Sequence, residues 1–210
     1  MVLFRSRKAS HFLVHASNYI IREDSVDQGR FTVEGSRPFA ALKPWVTLKL
    51  FGREGFRVLF DHAYDLTSEL RTLVEAHENF EKMNFPELFI FNYRFVPAKV
   101  KTMLDGLRHE IESGNISVAH EAVHRMKKIN HVLNQMNVEL HRAIRQEDNS
   151  FVSRTMLEST MYAPQKIVVL RAVTINPLTT PEILREIIEE HNRLGMKLYQ
   201  DVFINKIGSI

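Results

Sequence analysis

The sequence has 210 residues, 44% hydrophobic and 25% charged, a composition that is typical of a globular domain and excludes a disordered chain. It has no cysteine, which excludes disulfides, zinc–thiolate sites, iron–sulfur clusters and cysteine nucleophiles and favours a reducing, cytoplasmic compartment. The formal charge is only +3 and no basic run is longer than Lys127-Lys128, so a nucleic-acid partner is not expected. No apolar run is long enough to cross a bilayer, so a membrane span is not expected.

The amino-terminal part of the chain combines a loop with helical segments. Residues 2–4 are an isolated apolar stretch, typical of the last strand of a sheet whose other strands lie elsewhere, and the polar residues 22–37 predict a long loop. A helix is predicted from Phe39 to Phe51, and Gly52 suits its end. From Phe56 to Phe80, apolar residues recur at three- and four-residue steps, which predicts a long amphipathic helix.

The remainder of the chain alternates strands and helices. Alternating aromatic residues predict a strand at 88–96, and two paired strands are predicted at 151–157 and 166–174. Helices are predicted near 98–112 and 117–146, and a final helix begins at Thr179-Thr180-Pro181-Glu182, where either threonine can be the N-cap, and runs to about Gly195. A layer of strands against a layer of helices gives an α+β fold.

One predicted helix carries a candidate metal motif. His120-Glu121-Ala122-Val123-His124 matches H-E-x-x-H, in which two histidines one turn apart bind zinc and the glutamate activates water. The extended form of the motif is absent, because Lys127 and Asn130 occupy the positions of its glycine and its third histidine, and Arg125 adds a charge beside the second one. We therefore predict no metal site, and a zinc-dependent hydrolase is kept as the alternative enzyme.

Two further features suit anionic ligands. Arg171 lies in the apolar strand sequence Ile167 to Ile175, and a guanidinium there is costly to bury unless it is paired. Its planar fork suits a carboxylate, which could belong to a ligand or to an Asp or Glu of the chain. The corner Gly35-Ser36-Arg37-Pro38 precedes a helix and can present backbone N–H groups to an anion.

Two stretches carry a family resemblance. The sequence Gly35-Ser36-Arg37-Pro38-Phe39-Ala40-Ala41-Leu42-Lys43-Pro44-Trp45, followed by Gly52-Arg53-Glu54-Gly55, resembles the pyridoxal-phosphate-dependent group II amino-acid decarboxylases. A second match is Val169-Leu170-Arg171, with Asn176-Pro177 behind it. The resemblance covers nearly the whole chain, with residues 99–125 as an insertion, and points to the bacterial glutamate-decarboxylase-like and aspartate 1-decarboxylase members.

The resemblance implies a division of the chain into two parts. Residues 1–54 correspond to the end of the large α/β domain of a type I pyridoxal-phosphate transferase fold, with a mobile loop at 22–33 and a linking helix. Residues 55–210 correspond to a small carboxyl-terminal α+β domain, with a short antiparallel sheet covered by helices. The Schiff-base lysine of the family lies upstream of the matched region. The sequence is therefore interpreted as part of a longer enzyme, no catalytic residue is assigned, and the 210 residues alone are expected to be inactive.

The implied reaction is decarboxylation of a small acidic amino acid, aspartate or glutamate, through an imine with pyridoxal 5'-phosphate in a homodimer. Arg171 is expected to hold the substrate carboxylate, and Gly35 and Ser36 are expected to lie near the cofactor phosphate of the partner subunit. Several family members carry a proton-donating tyrosine in the loop, but Phe31 is the only aromatic residue there, so no proton donor is assigned. The alternative outside enzymes is an α+β interaction module whose apolar face docks on a partner.

Overall fold

The computed structural model describes residues 38–113, 116–159 and 164–210. The strand expected at residues 2–4, the loop at 22–37, and Gly35 and Ser36 all lie outside the described residues. The chain forms two compact units, residues 1–56 and 57–210. In the described part, no helix has both the length and the apolar composition that a bilayer span requires.

Helix α1 (Leu42–Ala76) contains the predicted break at Gly52. Gly52 has a φ of 58° and a ψ of −168°, a backbone conformation that glycine adopts more readily than any other residue. The prediction that a helical segment ends at Gly52 is therefore confirmed. The prediction that the second segment reaches Phe80 is wrong, because α1 ends at Ala76 and Phe80 begins a strand.

Residues 57–210 contain a four-stranded antiparallel sheet in the order β1-β2-β4-β3. The strands are β1 (Phe80–Lys82), β2 (Ile90–Phe95), β3 (Ser153–Ser159) and β4 (Gln165–Val173). This short antiparallel sheet, together with the helices beside it, confirms the predicted α+β fold. The sequence analysis did not predict strand β1.

Four more helical elements follow α1, of which the first three were predicted near their observed positions and the last was not predicted. They are α2 (Ala98–Glu112), α3 (Ile116–Glu147), α4 (Pro181–Leu198) and, after a π-helical turn at Tyr199–Phe203, α5 (Ile204–Gly208). The side chain of Thr180 accepts a hydrogen bond from the backbone N–H of Ile183, which identifies Thr180 as the N-cap of α4. The predicted end of α4 at Gly195 is wrong, because the helix passes through this glycine.

The core lies on one side of β2 and β4. Phe91, Tyr93 and Phe95 are fully buried on β2 and share their side with Leu170 and Ala172 of β4. Apolar residues of α1, α2, α3 and α4 complete the same hydrophobic cluster. Because side chains alternate along a strand, the residues between them point to the other side of the sheet.

Two asparagines of α3 bind the backbone of β2 and β4 where the two strands stop pairing with each other. The Asn137 carboxamide accepts from the Phe95 N–H and donates to the Phe95 carbonyl, both at 2.9 Å. The Asn134 carboxamide accepts from the Val168 N–H at 2.8 Å and donates to the Lys166 carbonyl at 2.9 Å. Each carboxamide supplies the hydrogen bonds that a neighbouring strand would supply, so these backbone groups are not left unpaired.

Gly195 has a packing role, which a substitution can test. A Cβ atom at this position would lie 2.7 Å from ring atoms of the buried Phe95. Gly195→Ala is therefore expected to lower the free energy of unfolding by about 1–2 kcal/mol, because the clash exceeds the gain in helix propensity of about 1 kcal/mol. In urea unfolding, the control Gly106→Ala should instead raise it by about 0.5–1 kcal/mol, since a Cβ at Gly106 of α2 meets nothing within 4 Å. Equal effects of the two changes would contradict the packing role.

Candidate substrate-binding site

Arg171 lies on β4 between two neighbouring strands. It is opposite Asn92 of β2 and opposite Ser153 of β3. The three side chains therefore share the side of the sheet that faces away from Tyr93 and Leu170. The Ser153 hydroxyl donates to the Arg171 carbonyl at 3.2 Å. This arrangement fixes the backbone of Arg171 and leaves its side chain half-buried.

The guanidinium of Arg171 has no internal counter-ion in the described part of the chain. The ion pairs found there involve other arginines, one lysine and one histidine. Of the two alternatives that the sequence leaves open for Arg171, the internal ion pair thus has no support among the described residues. A half-buried guanidinium with a free fork can bind an external carboxylate through two parallel hydrogen bonds.

Asn92 adds a polar group beside Arg171. Its backbone is held on both sides, because its N–H donates to Asn84 Oδ1 at 2.7 Å and its carbonyl accepts from the Met83 N–H at 2.8 Å. The Oδ1 atom of Asn92 is buried and has no hydrogen-bond partner among the described residues. A buried acceptor without a donor is destabilising. Because this atom is closed to solvent, it is not itself a contact for a ligand, and Asn92 contributes a buried polar neighbour of the Arg171 position on the adjacent strand.

The fully buried arginine of this sheet is Arg94 rather than Arg171. Its Nε donates to Glu81 Oε2 at 2.7 Å, and Nη1 donates to Asn130 Oδ1 at 2.8 Å. Burial lowers the pKa of Arg94, and the neighbouring Glu81 carboxylate acts in the opposite direction. The requirement that a buried guanidinium be paired is thus met at Arg94. In the sequence, only the position of Arg94 between two core aromatic residues of a strand indicated its burial. Its partner Glu81 could not be identified, because it lies in β1, which was not predicted.

A second buried network connects β2 to α4. Tyr93 Oη lies 3.0 Å from His191 Nδ1, His191 Nε2 lies 3.1 Å from Ser150 Oγ, and the Ser150 hydroxyl donates to Glu190 Oε2 at 2.6 Å. Since Ser150 has one proton to donate, His191 Nε2–H must donate to Ser150, and Nδ1 accepts from Tyr93. In this arrangement His191 cannot act as a base toward Ser150, so the network is structural.

The His191 network predicts that the protein loses stability in mild acid. Burial lowers the pKa of His191 to about 4, from an ordinary value of 6.5. Below pH 6.5 the unfolded chain binds a proton that the folded chain excludes, so stability falls progressively as the pH drops toward 4, by about 3 kcal/mol in total. Urea unfolding of wild type and His191→Gln across this range measures the effect.

The wild-type protein should lose this increment of stability between pH 6.5 and 4, whereas His191→Gln should lack it. His109→Gln is the matched control, because the His109 side chain is 85% exposed on α2. A wild-type stability that falls no faster with acid than that of His191→Gln would show that His191 is not held neutral by burial.

The candidate metal motif does not assemble a metal site in the described residues. His120, Glu121 and His124 are all exposed on α3. Within the described ranges, no group of three or more histidine, aspartate or glutamate side chains is placed to hold a metal ion. The zinc-hydrolase alternative is therefore not favoured.

The described residues also do not fit covalent attachment of pyridoxal phosphate. A Schiff-base lysine is typically held in a desolvated pocket, but no lysine in the described part of the chain is buried. Lys82 and Lys101 are half-buried, and they are held by Glu75 and by the Phe80 carbonyl. Lys43 and Lys49 on α1 are exposed. None of the lysines that the structure describes is thus suited to that attachment.

Comparison with known proteins shows similarity to one family of enzymes. Residues 2–95 match the family described as the pyridoxal-dependent decarboxylase conserved domain. The chain is 30% identical over 195 residues to an aspartate 1-decarboxylase of Aliivibrio fischeri, which covers 93% of this chain and 33% of the relative. It is 24% identical over 166 residues to an aromatic-L-amino-acid decarboxylase of Bacillus atrophaeus, covering 79% of this chain and 28% of that protein.

These matches confirm the predicted resemblance to the carboxyl-terminal part of the pyridoxal-phosphate-dependent group II amino-acid decarboxylases, to which the chain is related. The chain spans about a third of the length of the curated relatives.

Solved structures share the fold. Mouse CSAD in its apo form superimposes with a TM-score of 0.61 at 19% identity, over 90% of this chain and 34% of that one. The glutamate decarboxylase domain of diaminobutyrate-pyruvate transaminase and L-2,4-diaminobutyrate decarboxylase from Vibrio parahaemolyticus gives a TM-score of 0.54 at 16% identity, over 78% of this chain and 27% of that one. At these identities the likeness concerns the fold alone.

Proposed function

We propose that this chain is the carboxyl-terminal part of a pyridoxal-phosphate-dependent decarboxylase, called the parent enzyme below, that acts on aspartate or glutamate. The observation that carries the proposal is Arg171, a half-buried guanidinium with no counter-ion in the described part of a decarboxylase-related chain. When it is bound, the cofactor accepts the electrons that loss of carbon dioxide releases. The contribution of this chain is to bind the substrate carboxylate and to fix its orientation.

The position of Arg171 on the sheet suits this task. Strands β2 and β3 flank it on both sides, so its backbone is held by the sheet. Two parallel N–H groups of a guanidinium fix both oxygens of a carboxylate, which sets the direction of the neighbouring carbon–carbon bonds. Orientation of this kind can contribute several orders of magnitude to a rate.

An acidic substrate is the choice that the comparisons support best. The relative with 30% identity carries the name aspartate 1-decarboxylase, whereas the aromatic-L-amino-acid decarboxylase is only 24% identical and matches a shorter part of the chain. The carboxylate-binding role of Arg171 also suits an amino-acid substrate. We therefore place aspartate first and glutamate second.

The proposal includes the organisation of the parent enzyme. Residues 1–54 complete the large cofactor domain, residues 55–210 form the small domain, and the enzyme is a cytoplasmic homodimer. Gly35 and Ser36 approach the cofactor phosphate of the partner subunit. Exposed apolar side chains on α1 support association, because apolar surface of this kind commonly lies in an interface. They include Leu42, Trp45, Leu48, Leu50 and Phe51.

The substrate and the need for the upstream residues are tested together. Purified parent enzyme, supplied with pyridoxal phosphate, should release carbon dioxide from aspartate or glutamate and far more slowly from tryptophan. The 210-residue chain alone should release none, and borohydride should not fix the cofactor to one lysine, because no described lysine is buried. A parent enzyme that prefers tryptophan would contradict the substrate, and turnover with stoichiometric labelling of the short chain would contradict its proposed incompleteness.

A further inference from the structure

One buried side chain on the strand next to Arg171 has an unused hydrogen-bond acceptor. Asn92 is only 7% exposed, and its Oδ1 atom is closed to solvent and has no partner among the described residues. The other buried asparagines in the described part of the chain each accept a hydrogen bond at Oδ1; they are Asn79, Asn130 and Asn137. An unpaired buried acceptor is destabilising and uncommon in folded proteins, which points to a role for Asn92 other than stabilising the fold.

The register of the sheet brings Asn92 and Arg171 together in the closest kind of cross-strand pair. The Thr174 N–H donates to the Phe89 carbonyl at 3.1 Å, so these two residues are a hydrogen-bonded pair. Hydrogen-bonded and non-hydrogen-bonded pairs alternate along antiparallel strands, which makes Asn92 and Arg171, three pairs further on, a non-hydrogen-bonded pair. The Cα atoms of such a pair are about 4.5 Å apart, and its side chains are closer than those of a hydrogen-bonded pair.

Arg171 is also the neighbour of Asn92 that is best supplied with donors. The apolar side chains near Asn92 on this side of the sheet cannot donate a hydrogen bond; they are Ile90, Val169 and Val173. Arg94, two residues along β2, directs Nε to Glu81 and Nη1 to Asn130. The Arg171 guanidinium has five N–H groups and forms no ion pair with the described residues.

We propose that Asn92 is a positioning residue that fixes the Arg171 guanidinium through Oδ1. This inference rests on the proposed function, in which Arg171 binds the substrate carboxylate. A carboxylate takes two of the five N–H groups of a guanidinium, and three remain for the protein. When Arg171 turns to bind the substrate, one of these three donates to Asn92 Oδ1. The bond sets the plane of the fork and pairs the buried acceptor.

The proposal separates substrate binding from folding stability. The hydrogen bond to Asn92 forms when the substrate is in place, so its loss weakens binding and does not destabilise the free chain. Replacement of an unpaired buried acceptor by an apolar side chain is close to neutral or stabilising. An asparagine with a structural role would show the reverse, which is lost stability with normal binding by the folded protein.

Calorimetric titration of the parent enzyme with succinate measures carboxylate binding without turnover, because succinate lacks the amino group of the substrate. Asn92→Val should weaken succinate binding about 10-fold, the equivalent of about one hydrogen bond to a charged group, and should lower kcat/KM for the acidic substrate by a similar factor. Asn92→Asp should weaken both further, because a carboxylate at this position occupies the fork. If Asn92 only had to be polar, Asn92→Asp would be the milder change.

Urea unfolding of the 210-residue chain measures stability without any activity. Asn92→Val should leave the midpoint urea concentration unchanged or raise it, because valine suits a strand and the unpaired acceptor is gone. The matched control is Asn137→Leu, in which leucine suits a helix but the hydrogen bonds to both backbone groups of Phe95 are lost. This control should lower the midpoint.

Arg171→Lys in the same titration distinguishes failure of this inference from failure of the proposed function. If Arg171→Lys changes neither succinate binding nor kcat/KM, then Arg171 does not bind the carboxylate and the proposed function fails. If Arg171→Lys weakens binding but Asn92→Val binds succinate as the wild type does, only the role of Asn92 is overturned. A midpoint lowered by Asn92→Val as much as by Asn137→Leu would also overturn it, because Asn92 would then be structural.

Discussion

In the parent enzyme, Arg171→Lys is expected to lower kcat/KM for the acidic substrate by about 100-fold or more. Lysine keeps the positive charge but replaces the planar fork with a single rotating donor group. The substrate carboxylate would then be attracted but not oriented. Both binding and turnover should fall, because a misdirected carboxylate also misaligns the bond that breaks.

The same substitution is expected to leave folding nearly unchanged. Arg171 is half-buried and forms no ion pair with the described residues, so its replacement by lysine breaks no internal charge pair. The free energy of unfolding should change by no more than about 0.5 kcal/mol, as for a surface substitution, and the melting temperature should stay nearly constant. Arg154→Lys, at an exposed position of β3, is the matched control and should change neither property. A lower melting temperature with normal kinetics would assign Arg171 a structural role instead.

Glu81→Leu is expected to cost about 3–5 kcal/mol of unfolding free energy, the largest stability change that the structure indicates. Arg94 is completely buried, while the Glu81 side chain is 14% exposed, and the Nε–Oε2 distance is 2.7 Å. Removing the carboxylate takes away the charge-assisted hydrogen bond that Glu81 forms with this buried guanidinium. Urea unfolding of the 210-residue chain measures the loss.

A double substitution separates the cost of losing the Glu81–Arg94 pair from the cost of lost packing. Glu81→Leu combined with Arg94→Met removes both charges and should recover most of the stability, because apolar side chains can replace a buried ion pair at little cost. The control Glu75→Leu breaks the more exposed Lys82–Glu75 pair and should cost at most about 1 kcal/mol. If Glu81→Leu costs no more than this control, then the buried pair is not important for stability.

The sequence alone was sufficient to predict the helices and strands whose apolar residues recur at regular intervals. Helices α2 and α3, strand β4 and the break at Gly52 follow from apolar spacing and from the conformational range of glycine. Strand β1 could not be found in this way, because three residues are too few to show alternation and Phe80 also fits the helical spacing of the preceding segment. The Glu81–Arg94 pair was missed for the same reason.

The remaining differences come from contacts between residues far apart in the chain. Gly195 looked like a helix end, since glycine is common there, but its role is set by the ring of Phe95. The link from Tyr93 through His191 to Ser150 has no local signal either. Local pattern predicts elements, whereas these sites depend on how the elements pack.

The most direct test of the central claim is release of labelled carbon dioxide from aspartate or glutamate labelled in the α-carboxyl group. The assay compares the parent enzyme with its Arg171→Lys variant at low substrate concentration. The account predicts release by the wild-type enzyme that depends on added pyridoxal phosphate, and release that is about 100-fold slower in the variant. No release from either amino acid by the wild-type enzyme, or equal release by both proteins, would contradict it.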